Sequence, residues 1–306
     1  MENKYSRREF LRRAGIVGAS TYGFLLAGDE LLDILEEAKA AGQPTLSIAS
    51  KGSPERLVKK AIDGLGGIGK FVKKGSKVLI KPNLAWIRTP ETAANTNPQV
   101  LAGIIKLCKA AGASSIIVFD HTCDNGPAAF KANGAAKVAS DLGVQLISGH
   151  SRSLYKKINI PKGKILKSDE CAKFILEADC FINVPIAKVH GSTGITASLK
   201  NMMGANWNRQ AWHQNGLNQC IADYFTAVKP DLIILDAVRI LLTRGPKGPG
   251  ETKDVGQVIA STDPVAIDAY AATLLGKEPS SIGHITAAAA HGLGQINLKK
   301  VTIKRV

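Results

Sequence analysis

The segments KVLIKPN (residues 77–83), PQVLAGIIKLCKAA (98–111) and SIIVFD (115–120) form the stretch that decides the fold. The first and last are short aliphatic, β-branched runs, which are typical of buried strands. The middle segment begins on proline and repeats apolar residues at helical spacing, which predicts a helix over Pro98–Ala111. A strand, a helix and a strand in this order predict a β-α-β unit with parallel strands over Lys77–Lys81 and Ser115–Phe119.

The same alternation continues along the chain. It predicts an α/β fold with a mixed, mostly parallel sheet and helices on both faces. One such domain is expected over residues 44–306. The other predicted strands are Thr45–Ala49, Val144–Ile147, Cys180–Val184, Leu232–Leu235, Gln257–Ser261 and Val301–Lys304. The other predicted helices are Pro54–Leu65, Ala128–Leu142, Cys171–Glu177, Leu217–Val228, Pro264–Leu275 and Ser280–His291.

Three segments break this rhythm. Ser151–Lys167 is polar with two short strand-like runs, so it is either a hairpin insertion or a subdomain joint near residues 151–167. The run GPKGPG (245–250) predicts a flexible loop before a late strand. GLGGIG (64–69) matches the dinucleotide-binding pattern in its letters, but it follows a helix and precedes a strand. It is therefore interpreted as a helix C-cap and turn.

The N-terminal 43 residues resemble a twin-arginine export signal and linker. Arg7 and Arg8 are followed by Phe10 and by a weakly apolar run over residues 14–28. That run is too short and too rich in glycine for a spanning helix. We therefore expect the translocation machinery as a partner and an extracytoplasmic location, in the periplasm or on the outer face of the cytoplasmic membrane. Contact with the membrane is expected only through an uncleaved signal, and the alternative is a basic arm before a short helix.

The charge of the chain belongs to its globular part. Residues 41–306 carry 34 Lys and Arg against 18 Asp and Glu. An excess of this size suggests an anionic partner. Nucleic acid is not expected, because the lysines are dispersed, few aromatics lie between them and no nucleic-acid-binding motif is present. Solvated surface lysines account for much of the remaining excess.

The five cysteines form no C-x-x-C pair. Neither a ferredoxin-type cluster nor a zinc knuckle is encoded locally, so an iron–sulfur cluster is not expected from this chain alone. The odd number also argues against a fully paired disulfide framework.

Polar side chains follow several predicted strands. Ligands bind at the carboxyl ends of strands in open parallel sheets, so these residues are expected to converge on one cleft. Asp263 also follows a predicted strand, but the Asp-Pro pair favours a helix N-cap. The polar residues at the other strand ends are Lys81, Asn83, Asp120, His121, Asn183, Lys188, His190 and Asp236.

The segment KVHGSTGITASLKN (188–201) concentrates cations, hydroxyls and glycines before a helix. Such a segment offers N–H groups and ammonium groups to an oxyanion, and an imidazole for proton transfer or metal binding. The alternative is a capped helix start with solvated lysines. The expected catalytic residues are His190 and Lys188. The expected substrate-binding residues are Lys81, Asn83, Asn183, Thr193, Ser198, Lys200 and Asn201.

The segment DHTCD (120–124) places several metal-binding side chains within five residues. A divalent metal held by Asp120, His121, Cys123 and Asp236 is one hypothesis. Neighbouring residues on one turn rarely face one ion together, so an Asx-turn is the alternative. The cofactor is otherwise unknown from the sequence.

Several of these segments together resemble one family, the domain of unknown function 362. They are KPN (81–83), ETAANTNP (91–98), KVH (188–190) with Thr193 and Gly194, SLKNMMG (198–204) and ASTDPVA (260–266). The likeness spans about residues 45 to 306. It implies positions for a site more than a reaction, because the family name states none. Members often carry a ferredoxin-like domain or a twin-arginine signal, and this chain lacks the cysteine spacing of the first.

Two functions are therefore expected. The first is an exported enzyme that acts on a small anionic substrate at a Lys/His/Asn/Asp cleft, with or without a metal. The second is a non-catalytic protein that binds a metal or an anion, or a redox-accessory protein without its own iron–sulfur cluster.

Overall fold

A computed structural model describes residues 44–306, and its centre is a ten-stranded mixed sheet. The predicted twin-arginine signal lies outside the described residues. The strands are Thr45–Ser50 (β1), Lys77–Pro82 (β2), Ser115–Asp120 (β3), Gln145–Ser148 (β4), Tyr155–Asn159 (β5), Ser168–Ala172 (β6), Cys180–Val184 (β7), Ile186–His190 (β8), Gly194–Thr196 (β9), Leu232–Leu241 (β10), Thr252–Ser261 (β11) and Thr302–Arg305 (β12).

The main sheet has the strand order β12-β1-β11-β10-β7-β2-β3-β4. The run from β10 to β4 is parallel throughout, and β12 is parallel to β1. Only β11 runs against its neighbours β1 and β10 in this order. The expected mixed, mostly parallel sheet is confirmed.

Helices cover the sheet on both sides. The α-helices are Pro54–Asp63 (α1), Pro98–Ala110 (α2), Gly126–Ala132 (α3), Ala135–Asp141 (α4), Lys173–Leu176 (α5), Ser198–Asn201 (α6), Arg209–Gln214 (α7), Leu217–Ala227 (α8), Pro264–Leu274 (α9) and Gly283–Ala290 (α10). Short 3₁₀ turns lie at Ile68–Lys70, Pro90–Thr92, Arg152–Leu154, Met202–Ala205, Pro279–Ser281 and Leu298–Lys300.

Alternate strand residues build two separate cores, because successive side chains of a strand point to opposite faces. On β2, Val78 and Ile80 pack into the core under α1 and α2, whereas Leu79 packs into the core with α8 and α9. Both faces of the central strands are therefore buried, as the continuous apolar runs predict.

Two predicted helices differ from the structure. The expected helix over Ala128–Leu142 is two helices, because Gly134 adopts a φ of 82° that ends one and begins the other. The expected helix over Cys171–Glu177 is shorter, because Cys171 belongs to β6 and pairs with Lys156 of β5. A hairpin is thus present here, but its second strand, Ser168–Ala172, lies just beyond the predicted segment 151–167.

Two strand features were not predicted. The segment after β7 continues as the β8–β9 hairpin, in which Lys188 pairs with Thr196. Strands β10 and β11 are each ten residues long and form an extended antiparallel hairpin. The GPKGPG run (245–250), expected as a loop, forms the turn of that hairpin.

Asp263 does not join the other strand-end residues. Because β11 is antiparallel to β10, its carboxyl end lies at the opposite edge of the sheet. Asp263 instead caps α9, accepting from the backbone N–H groups of Val265 and Ala266 at 2.8 and 2.7 Å, as the Asp-Pro pair predicts. The glycine run at 64–69 ends α1 and leads through a 3₁₀ turn towards β2, which confirms its interpretation as a cap and turn.

In the part of the chain that the structure describes, no helix combines the length and the apolar character needed to cross a membrane.

Candidate functional site

Lys81 and Asp120 form a buried ion pair at the carboxyl ends of β2 and β3. The two strands are parallel neighbours with Ile80 opposite Val118, so both end at the same edge. Lys81 Nζ lies 2.7 Å from Asp120 Oδ1, and Asp120 Oδ2 accepts from the backbone N–H of Leu84 at 2.7 Å. Burial lowers the pKa of Lys81, and the neighbouring carboxylate opposes that change. Both carboxylate oxygens are thus engaged by protein donors.

A chain of three asparagine amides joins this pair to the next strands. Asn201 Nδ2 donates to Asn183 Oδ1 at 2.8 Å, and Asn83 Nδ2 donates to Asn201 Oδ1 at 2.9 Å. Asn83 Oδ1 in turn accepts from Lys188 Nζ at 3.1 Å, and the same ammonium donates to the carbonyl of Ala94. The amides orient Lys188, and both of its partners are neutral oxygens.

Lys188 is almost wholly buried, with 1% of its surface exposed. Burial, with a smaller contribution from the nearby Lys200, lowers the pKa of Lys188 to about 7. A lysine with this pKa exchanges protons near neutral pH, which is the behaviour of a lysine general acid or base.

Lys200 lies on the single turn α6, which Asp268 of α9 holds in place. The Asp268 carboxylate accepts from the backbone N–H groups of Ser198 and Leu199 at 2.6 and 3.0 Å. Burial lowers the pKa of Lys200 to about 8. Within residues 44–306 the Lys200 ammonium has no hydrogen bond and no ion pair.

Arg209 opens α7 and adds a further cation. Its Nη1 donates to the carbonyl of His121 at 2.7 Å and lies 3.6 Å from Cys123 Sγ, while its Nη2 donates to the carbonyl of Thr122 at 3.0 Å. Among the described residues Arg209 has no carboxylate partner.

The two histidines of the cleft have opposite hydrogen-bonding character. His190 Nδ1 accepts from the backbone N–H of Ser192 at 3.1 Å, so the neutral ring carries its proton on Nε2 and donates there. His121 Nδ1 lies 3.0 Å from the carbonyl of Asn206, so its proton is on Nδ1 and Nε2 offers a lone pair. The His121 ring also stacks on Trp207 at 5.4 Å.

Both rings are neutral near pH 7. Burial lowers the pKa of His190 to about 3, with Lys200 as the next cause, and burial lowers the pKa of His121 to about 4, with Arg209 as the next cause. The neutral His190 ring thus offers an N–H at Nε2, and its acid–base role stays a prediction.

These groups line one cleft. Nine of the thirteen predicted site residues lie along it. They are Lys81, Asn83, Asp120, His121, Cys123, Lys188, His190, Lys200 and Asn201.

Four predicted residues lie behind or beside the cleft. Asn183 and Ser198 are buried beneath it, and Asn183 Nδ2 donates to the Ser198 carbonyl at 3.0 Å. Thr193 closes the β8–β9 turn by donating to the carbonyl of Ile195 at 3.0 Å. Asp236 accepts from the backbone N–H of Asn97 at 2.7 Å, which ties the segment before α2 to β10.

The four predicted metal ligands do not come together. Among the described residues, no group of three or more His, Cys, Asp or Glu side chains is arranged to hold a metal ion. Asp120 is engaged by Lys81 and by a backbone N–H, and both oxygens of Asp236 accept from backbone N–H groups. The Asx-turn alternative does not describe these aspartates either, because Asp120 accepts from Lys81 and Leu84, and Asp124 from Ile87 and Lys247.

Sequence reasoning missed part of the lining. Arg209 carries no motif of its own, and only its position after the Met-Met-Gly block could have drawn attention to it. Pro246 reaches the cleft from the β10–β11 turn, where Lys247 lies 3.2 Å from Asp124 and 5.3 Å from the Trp86 ring. The lining residues that were not predicted are Ala85, Trp86, Thr196, Met203, Gly204, Arg209 and Pro246.

A family model described as "Domain of unknown function (DUF362)" matches residues 78–273. The chain belongs to the DUF362 family. The matched range includes every residue of the cleft. The family resemblance predicted from the sequence is confirmed over this range, which is shorter than the predicted 45 to 306.

One similar protein is the thylakoid-associated protein sll1697 of Synechocystis sp. It is 28% identical to this DUF362 chain over 261 residues, which cover 79% of this chain and 76% of that protein.

Two solved structures are similar in part. One is a Thermotoga maritima protein, with 12% identity and a TM-score of 0.47 over 74% of this chain. The other is the lactate racemase apoprotein of Thermoanaerobacterium thermosaccharolyticum, with 18% identity and a TM-score of 0.44 over 71% of this chain. The chain spans 60% and 54% of the lengths of these two proteins.

Proposed function

We propose that this DUF362 protein is an enzyme that acts on a small anionic substrate bound in the cleft. One observation carries the proposal: Lys188, Lys200 and Arg209 line the same cleft without a carboxylate partner among the described residues. Lys188 is buried, and Lys200 and Arg209 are half-buried. Cations withdrawn from water are normally paired, because removing a charge from water is costly. A bound anion would supply the missing partner.

The proposed roles follow from the partners of each group. Lys200 and Arg209 hold the anion. Lys188, whose pKa lies near 7, exchanges a proton with the substrate. His190 donates from Nε2 to negative charge that develops on the substrate, and His121 accepts from a substrate hydroxyl at Nε2. Lys81 is engaged by Asp120, so it contributes positive potential rather than a direct ligand.

The test begins with binding and ends with turnover. Thermal unfolding of the purified protein is measured with a panel of small carboxylates, phosphate esters and sulfonates, since a ligand that binds the folded state raises Tm. Compounds that raise Tm are then incubated with the protein in D₂O and followed by proton NMR for conversion or exchange.

Matched variants separate the two expected functions. Lys200→Met is expected to abolish the rise in Tm, whereas Lys131→Met removes an exposed lysine of α3 and is expected to leave it unchanged. Lys188→Arg tests catalysis, because it keeps the positive charge beside the anion but does not release a proton near neutral pH, so loss of conversion with retained binding supports the enzyme. A ligand that binds tightly and is never converted, in any D₂O or NMR assay, supports the non-catalytic binding protein instead.

We also propose that the chain is exported by the twin-arginine route. Arg7 and Arg8 with the weakly apolar run behind them support this. The test is cell fractionation of the wild type and of the double variant Arg7→Lys, Arg8→Lys in a bacterium that has this route. The wild type is expected outside the cytoplasm and the variant inside it. Equal distribution of the two proteins would contradict export.

A further inference from the structure

The cleft presents hydrogen-bond donors and offers few acceptors. Lys188 Nζ uses two of its three N–H groups, on Asn83 Oδ1 and on the carbonyl of Ala94. Lys200 uses none of its three within the described part of the chain, and His190 adds the N–H at Nε2. Three side chains of the cleft thus have N–H groups that donate to no protein acceptor among the described residues.

His121 Nε2 offers one lone pair, whereas the carboxylate and amide oxygens of the cleft already accept hydrogen bonds. Asp120 accepts with both oxygens, from Lys81 and from the backbone N–H of Leu84. Asn83 Oδ1 accepts from Lys188, and Asn201 Oδ1 accepts from Asn83. A ligand that fits these walls therefore brings acceptors and few donors, which describes a fully ionised oxyanion.

The number of unpaired cations sets the charge of that ligand. A monoanion would pair with one lysine and leave the other, the buried Lys188 or the half-buried Lys200, without a counter-charge, so that this lysine either stays charged at a desolvation cost or gives up its proton. A ligand with two negative charges pairs with both Lys188 and Lys200, while Arg209, which also donates to the carbonyls of His121 and Thr122, adds a third positive charge beside the anion. We propose that the cleft selects small dianions, of the dicarboxylate, sulfate or phosphate-monoester type, over monoanions of the same shape. This inference rests on the proposed function and specifies the substrate class of the same site.

Binding of such a ligand is coupled to proton uptake. Burial lowers the pKa of Lys188 to about 7 and that of Lys200 to about 8, so at pH 8.5 both are largely neutral without a ligand. A neighbouring dianion favours the charged ammonium forms and returns their protons. His190 and His284 also face Lys200, but burial lowers the pKa of each to about 3, so they stay neutral. The other charged or titratable groups near the two lysines are Lys81, Asp120, Cys123, Arg209 and His213.

Isothermal titration calorimetry with matched probes tests the inference. Sulfate is compared with methanesulfonate, and malonate with acetate, at pH 8.5 in two buffers with different enthalpies of ionisation. We expect each dianion to bind at least tenfold more tightly than its monoanion. The difference in measured enthalpy between the buffers gives the proton uptake, which we expect to lie between one and two protons per site.

A substitution of Lys200 tests the contribution of this lysine to dianion binding. Lys200→Gln is expected to lower the affinity for the dianions at least tenfold and to reduce the uptake, with Lys131→Gln as the matched control. If Lys200→Gln folds poorly, proton uptake by the wild type on binding a dianion still tests the inference. Equal affinity for monoanion and dianion without uptake overturns this inference and leaves the proposed anion site standing. Absence of binding by all four anions and by the panel of candidate substrates overturns both.

Discussion

Two buried Asp–His pairs on the same face of the sheet have the same residue types and opposite surroundings. Asp223 and His291 are 2.7 Å apart, between α8 and the residue that follows α10. Asp268 and His284 are 3.8 Å apart, between α9 and α10, and lie directly behind Lys200. The first pair is saturated with hydrogen bonds, whereas the second is not.

The hydrogen-bond partners of the Asp223 carboxylate account for the difference between the two pairs. The Asp223 carboxylate accepts from the backbone N–H groups of Ile165 and Leu166 at 2.7 and 2.9 Å and from Gln219 Nε2 at 2.8 Å. Burial alone would raise the pKa of Asp223, but these hydrogen bonds outweigh it and bring the pKa down to about 2. The Asp223 pair therefore fastens the segment after β5 to α8.

The Asp268 pair lacks this compensation. Burial raises the pKa of Asp268 to about 8, although two backbone N–H groups of α6 oppose the change. Both ring nitrogens of His284 are buried without a hydrogen-bond partner in the described structure. Unsatisfied polar groups of this kind are concentrated at functional sites, where polar residues serve a ligand rather than the fold. The comparison thus separates a pair that stabilises the fold from one that supports the cleft.

The largest expected effect is that of Asp223→Asn. The substitution removes the charge that four donors engage, and we expect the free energy of unfolding to fall by about 3 kcal/mol. Urea unfolding followed by circular dichroism measures it. Asp268→Asn is the matched control, because the same substitution at the unsaturated pair is expected to cost far less. Equal losses in the two variants would show that the pairs do not differ.

Acid unfolding gives the next largest effect. The pKa of Asp223 is lower in the folded state than its ordinary value of 3.8, so its stabilisation is complete above pH 4 and is lost as the pH falls towards 2. The expected loss is about 2 kcal/mol over that interval. It is measured as the difference between wild type and Asp223→Asn at each pH, which removes the contributions of other carboxylates. A difference that stays constant from pH 5 to pH 2.5 would contradict the lowered pKa.

The sequence predicts the strands of this molecule and their pairing better than it predicts the hydrogen-bond partners of the buried polar side chains. Strands such as Lys77–Pro82 and Ser115–Asp120 follow from local composition, and their parallel pairing places Lys81 beside Asp120. Asp120 is the last residue of β3, and Asp236 lies within β10. The sequence around these two residues does not show that the backbone N–H groups of Leu84 and Asn97 donate to them. The metal hypothesis did not anticipate these distant partners.

Contacts between residues distant in the sequence also decided which cleft residues could be predicted. Lys188 and Lys200 were expected there from the glycine-rich and hydroxyl-rich segment between them. Arg209 was not expected, because its position depends on the carbonyls of His121 and Thr122, which lie about 90 residues away in sequence. Long-range contacts of this kind depend on how α7 packs, and a single sequence contains no local signal for that.

A smaller effect of opposite sign is expected from the second pair. The pKa of Asp268 is higher in the folded state than its ordinary value of 3.8. Ionisation of this group therefore lowers the stability progressively as the pH rises from about 4 to about 8, and the loss persists above pH 8. Asp268→Asn removes that cost and keeps an acceptor oxygen for one of the two N–H groups of α6. At pH 8.5 we expect the variant to be more stable than the wild type by about 1 kcal/mol, and at pH 5 to be equal or less stable. A pH-independent difference in urea unfolding would contradict the raised pKa.

The smallest effect concerns the two histidines of the comparison. His284→Leu replaces a ring with two unpartnered nitrogens by an apolar side chain in a fully buried position, so we expect the free energy of unfolding to change by less than about 1 kcal/mol, with any change a gain. His291→Leu removes the 2.7 Å contact to Asp223 and is expected to cost about 2 kcal/mol. Urea unfolding at pH 7 compares the two variants. A loss of more than about 1 kcal/mol in His284→Leu would show that its ring nitrogens contribute hydrogen bonds to the fold after all. The second pair would then be a structural pair like the first, and the distinction between them would fail.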